Sequence, residues 1–281
     1  MGNAEAALTL GQQALILSTK LDARREMADS LNLLGGVHNV LGRYNDAANY
    51  NMRAVTLYRE LGDRERIAAM LNNLGEHARL RGDYQAAAPL YLESLKIARE
   101  TGNRDGELVF LSNLGGARIG LGEFCTAEDD LRQTIFLAGT GVQAGFLSET
   151  YRFLAEACLG QEKMTEALAA ARQALALGQK AEAQDLIGGA WRTLGMAAAQ
   201  LAQPIAIGDE TYNATDCFAE SLRIFTEMGA QGEQARTLRE WGGYEIEKGD
   251  SERGTALWQK AREIFDRLGM ELEVHRMDTA L

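Results

Sequence analysis

Leu71-Asn72-Asn73-Leu74-Gly75 is one copy of a phrase that recurs through the chain. It stands forty residues earlier as Leu31-Asn32-Leu33-Leu34-Gly35 and forty later as Leu111-Ser112-Asn113-Leu114-Gly115. It returns as Trp191-Arg192-Thr193-Leu194-Gly195 and Leu238-Arg239-Glu240-Trp241-Gly242, with a weaker copy, Tyr151-Arg152-Phe153-Leu154-Ala155, between. A fixed period of this size marks a stacked repeat protein, in which each unit buries its apolar face against its neighbours.

Around the phrase, Ile67, Met70, Leu71, Leu74 and Ala78 fall at three- and four-residue steps, the spacing of one helix face. Arg81-Gly82-Asp83 interrupts that helix, and Asp83 is placed to cap the next one. Tyr84, Ala87, Ala88, Tyr91, Leu95 and Ala98 give the second apolar face. The spacing predicts an all-α chain of helix-turn-helix repeats over 22–61, 62–101, 102–141, 142–181, 182–229 and 230–269. Half repeats at 4–20 and 270–281 flank them. Residues 203–213 insert seven extra positions into the fifth repeat and read as a protruding loop.

Glycine at one phase inside a helix costs about 1 kcal/mol against alanine. Its recurrence at Gly35, Gly75, Gly115, Gly195 and Gly242 therefore predicts a close helix-helix approach there. The small residues Ala47, Ala87, Ala127, Ala167 and Ala214 are its expected partners. Gly42, Gly82, Gly122 and Gly249 fall at turns within repeats, and Gly62, Gly102, Gly229 and Gly269 at turns between them.

Composition agrees with long helices and narrows the function. Two prolines in 281 residues is far below the usual share of about 5%. A net charge of −11 argues against a nucleic-acid surface, which rests on Lys and Arg. Cys125, Cys158 and Cys217 are far apart and read as small buried residues. No phosphate loop, HExxH, GxSxG or paired CxxC is present, so the sequence points to no cofactor, metal or catalytic residue. His38, His77 and His275 stand singly and read as surface or groove residues, and pairs such as Glu60 and Arg64 read as solvated ions at helical spacing. No apolar run is long enough to span a membrane, and the reading is a cytoplasmic protein.

The Leu-Gly pair in the first helix, the small residue early in the second and the aromatic four residues later (Tyr91, Phe218, Trp258) resemble the tetratricopeptide repeat. The forty-residue period is similar to the longer arrays of kinesin light chains, Pins-type spindle regulators and bacterial MalT-like regulators. That resemblance implies a right-handed α-α superhelix whose first helices line a concave groove. Two positions before the Leu-Gly pair and one after it then face inward. They contribute Asn32, Asn72, Asn73, Glu76, Ser112, Asn113, Arg152, Arg192 and Arg239 as candidate peptide-binding residues. Asparagine amides suit the backbone of an extended peptide, and the arginines suit carboxylates on it. The implied function is a non-enzymatic scaffold for a protein or extended peptide, of acidic character, or for another domain of the same chain. It would belong to a larger bacterial signalling or transcription regulator. A receptor for a small effector inside the superhelix is the alternative. The terminal half repeats could stack between copies to form a homodimer.

Overall fold

The computed structural model describes residues 2–139 and 141–280. Among them are fourteen α-helices and two short strands, which divide into two compact units at Ala117 and Arg118, inside the helix Arg104–Gly120. Each unit is built from antiparallel helix pairs joined by turns of a few residues.

The first unit holds α1 (Gly2–Lys20), α2 (Arg24–Val40), α3 (Tyr44–Leu61), α4 (Arg64–Leu80), α5 (Tyr84–Thr101) and most of α6 (Arg104–Gly120). Asp63 and Asp83 cap α4 and α5 by accepting from the amides of Arg66 and Ala86. Gly62 and Gly102 close α3 and α5 in the left-handed region (φ 68° and 71°), where a side chain would be strained. Tyr58 and Tyr91 are fully buried between pairs.

The second unit holds α7 (Phe124–Ala138), α8 (Ala144–Leu159), α9 (Met164–Lys180), α10 (Gln184–Leu201), α11 (Ala214–Glu227), α12 (Gln231–Lys248), α13 (Ser251–Arg267) and α14 (Glu271–Ala280). Here α10 also packs directly on α8 and α12, so these first helices of successive repeats form one face. Leu131, Leu194, Phe218 and Phe265 are among the largest buried side chains.

The close approaches predicted at the glycines are present, but mostly with other partners. A Cβ on Gly75 would lie 2.8 Å from the Tyr91 ring, on Gly195 2.7 Å from Phe218, and on Gly35 2.1 Å from Asn51. The space serves the aromatic phase rather than the alanines, because the ring of the second helix lies across the first. At Gly242 backbone meets backbone instead, with Gly254 O at 3.0 Å and Trp258 N at 2.9 Å.

The insertion is not a protruding loop. It forms an antiparallel hairpin of β1 (Ile205–Ile207) and β2 (Glu210–Tyr212), with Ile205 paired to Tyr212. Ile205 is buried in the second unit's core, and the Tyr212 ring lies 4.9 Å from Trp191. Arg172 Nε donates to the Ala206 carbonyl at 2.9 Å. Ile205, the Tyr212 ring and the Arg172 bond therefore hold the hairpin down.

Further expectations change. His38 and His77 are buried rather than on a surface, while Cys125 is exposed. Glu60 and Arg64 do not pair with each other: Glu60 takes Arg24 and Arg64 takes Glu100, across helices rather than along one. Gly249 has φ −122°, outside the left-handed region, and its place is set instead by the Glu245 carboxylate, which a Cβ there would overlap.

Candidate functional site

The first helices of the repeats carry the predicted positions, and the two units present different chemistry there. In the first unit the chemistry is amide. Asn113 Nδ2 on α6 donates to Asn72 Oδ1 on α4 at 2.8 Å, and both side chains are half-buried. Asn73 beside them is also half-buried, as is Asn32 on α2. Asn72 keeps its own amide donors and Asn113 its amide acceptor, with no partner among the described residues. Glu76 is held by Arg79 in a two-bond fork at 2.7 and 2.8 Å, and Tyr91 Oη donates to it at 3.0 Å. Ser112 is placed away from solvent, with 2% exposure. On α2, the aliphatic residues Leu33 and Val40 are 49% and 79% exposed.

In the second unit the chemistry is ionic and internally paired. Arg152 lies over Gly189 of α10, where a Cβ would approach its Cδ to 3.0 Å. It pairs with Glu149 at 3.2 Å and Glu156 at 2.7 Å. Glu156 also accepts from Thr193 at 3.2 Å, which ties α8 to α10. Arg192 is nearly buried and reaches Glu233 in the first turn of α12 at 2.6 Å. Arg239 makes the same reach from α12 to Glu273 in the first turn of α14 at 2.7 Å. Arg236 and Arg276, each three residues after the glutamate of its own helix, complete the pairs with Glu233 and Glu273. The same clamp thus occurs twice. Arg192 lies 5.7 Å from the Phe225 ring and Arg239 6.0 Å from Phe265, so one aromatic platform steadies each guanidinium.

The electrostatics follow from this geometry. Burial pushes the Glu233 carboxyl up, but Arg236 and Arg192 overcome it and hold the group well below the usual carboxylate range. Burial acts likewise on the fully enclosed Glu273, and Arg239 and Arg236 again win. Glu128, outside this face, is lowered to about 2: burial opposes ionisation, but hydrogen bonds from Lys163, Arg132 and Gln161 outweigh it.

Sequence reasoning placed Arg152, Arg192 and Arg239 as free forks for a ligand, and each has a carboxylate of its own chain instead. It missed Glu233, Glu273, Arg236 and Arg276. The signal was in the text as Glu233-Gln234-Ala235-Arg236 and Glu273-Val274-His275-Arg276, one Glu-x-x-Arg at the same phase of successive repeats. It missed a second polar site too. Asn51 takes the place that Tyr91 and Phe218 fill in other repeats, and its Nδ2 lies 2.9 Å from His77 Nε2. Both residues are at least 97% buried, and burial lowers the His77 imidazole to about 4, with Glu76 opposing and Arg81 adding to the effect.

Residues 27–61 and 66–135 match models of the tetratricopeptide repeat. The chain contains tetratricopeptide repeats in these two segments. Among solved structures, a Rap conjugation gene regulator of plasmid pLS20 in complex with the Phr* peptide is 13% identical. The match covers 97% of this chain and 72% of that one, with a TM-score of 0.74. A Rap protein complexed with Competence and Sporulation Factor is 12% identical over 98% of this chain and 85% of that one, with a TM-score of 0.67. BtubC (BKLC) from P. vanneervenii is 17% identical over 80% and 92% of the two chains, with a TM-score of 0.61. At these identities the likeness is one of fold, an all-α arrangement of tetratricopeptide-like repeats. No curated protein matches the sequence.

Proposed function

We propose that the chain is a non-enzymatic scaffold that binds an extended peptide, or an extended segment of a protein, along the first-helix face of its repeats. The observation that carries this is the Asn72–Asn113 pair. Their mutual hydrogen bond leaves a donor on Asn72 beside an acceptor on Asn113. One residue of an extended chain presents that complement, a carbonyl and an N–H, whatever its side chain is. Asn73 and Asn32 extend the amide chemistry, and Leu33 and Val40 offer apolar contact to alternate side chains of the guest. The two Rap proteins of similar fold were solved with a peptide and with Competence and Sporulation Factor, which supports a ligand of this class.

The arginine half reads differently. Arg152, Arg192 and Arg239 stay candidate contacts, but an acidic guest would have to exchange with Glu156, Glu233 or Glu273. An acidic preference therefore carries a desolvation cost that an uncharged guest at the amides does not. We place the scaffold within a larger regulator of signalling or transcription, as the resemblance to MalT-like arrays implies.

The test is a peptide-display selection with the full chain, followed by titration of the selected peptides. Asn72→Ala, Asn73→Ala and Asn113→Ala together should weaken binding at least tenfold while the helical circular dichroism spectrum stays intact. Arg152→Gln alone should change it less. Unaltered affinity in the triple variant would overturn the assignment.

A further inference from the structure

The hairpin does more than lengthen one repeat. Its roots, the last turn of α10 and the last turn of α12 enclose an open cleft of about 230 Å³. Ala198, Ala202, Ala214, Pro204 and the ring of Tyr244 supply an apolar lining. The Tyr244 ring lies 6.4 Å from Phe218, which anchors it to the core. Asn213 fixes the far root of the hairpin through a capping box with Asp216 at the start of α11. Both walls are therefore held by packing and hydrogen bonds, as a binding site requires.

Charge says what the cleft would take. The chain has 40 acidic residues and a net charge of −11, yet none of the cleft-lining residues is acidic. Its single charge is Lys248, exposed and without an ion pair among the described residues. Gln203 adds an uncharged amide at the rim. A lone ammonium beside small apolar side chains fits a carboxylate on a short aliphatic body. The volume, below the usual range of about 300–1,000 Å³ for drug-sized ligands, limits that body to roughly one amino-acid residue.

We propose that this cleft binds a carboxylate carried on a short aliphatic group, with Lys248 as its counter-ion and the Gln203 amide as a donor. The carboxylate comes either from a free short-chain acid or from the C-terminal residue of a peptide. The site is separate from the amide face and does not depend on it. Alanine-methyl NMR of the full chain tests it with three probes: isovalerate, N-acetyl-glycyl-leucine with a free carboxylate, and the same dipeptide as its amide. The expected result is saturable movement of the Ala198, Ala202 and Ala214 methyl signals with the acids and at least tenfold weaker response to the amide. Tighter binding of isovalerate assigns the site to free acids, and tighter binding of the dipeptide acid assigns it to a peptide terminus. Lys248→Met should weaken the acids at least fivefold, and Gln203→Ala more modestly, with the melting temperature unchanged because both residues are exposed. Absence of saturation, an equal response to the amide, or full affinity in Lys248→Met would each overturn the proposal.

Discussion

Two glycines in the first helices of different repeats show how local the energetics of this chain are. Gly36 has open space where a Cβ would go, whereas a Cβ on Gly242 meets the α13 backbone at Gly254 and Trp258. Alanine at Gly36 should stabilise the fold by about 1 kcal/mol through helix propensity alone. Alanine at Gly242 should destabilise it by about 2 kcal/mol, because overpacking against backbone outweighs that gain. Thermal melts of the two variants should move in opposite directions. His77 supplies a pH-dependent counterpart. The unfolded imidazole binds its proton near the ordinary 6.5, the folded one only near 4. Between those values the unfolded state takes up the proton first. The contribution is therefore complete above pH 6.5 and declines as pH falls towards 4, by on the order of 3 kcal/mol in total. Urea midpoints at pH 7, 5.5 and 4.5 should show this slope, and His77→Gln should flatten it. The buried pair was hidden in the sequence because Asn51 interrupts an aromatic phase, and one polar letter does not say what lies across from it.

At the scale of elements, helix pairs and caps were legible because their causes are local. Asp83 caps three residues ahead of itself, and apolar spacing closes within one turn. The clamps were not, because Arg192 and Glu233 stand 41 residues apart. Spacing along one helix says nothing about which neighbour a guanidinium will meet. The hairpin was unreadable for a similar reason. Its hold depends on Tyr212 finding Trp191 and Ile205 finding the core, both long-range events. Tyr212→Ala should loosen the hairpin, altering the tryptophan emission through Trp191 and raising proteolysis within 203–213. Glu273→Gln should be more severe, about 3 kcal/mol, since it leaves Arg239, Arg236 and Arg276 around a buried neutral group. Chemical denaturation of that variant checks the size.

For the whole molecule, a repeat chain has nearest-neighbour energetics, so damage should stay where it is made. Hydrogen exchange in Glu273→Gln should quicken across α12, α13 and α14 and remain unchanged in α2 through α5. Uniform acceleration along the chain would show cooperativity that this picture lacks. The candidate face follows the same logic of neighbours. The asparagine end kept its amides available, while the arginine end spent its charge on the chain itself.

The doubled clamp has a consequence for how such a chain can grow. Residues 230–269 carry Glu233, which receives an arginine from the repeat before, and Arg239, which gives one to the repeat after. Each segment of this kind is a link with a hook at one side and an eye at the other. A second copy inserted after residue 269 would engage Arg239 of the original and present its own arginine to Glu273. Neither clamp would lose a partner. The ion pairs that occupy this face are thus the same parts that make its length adjustable.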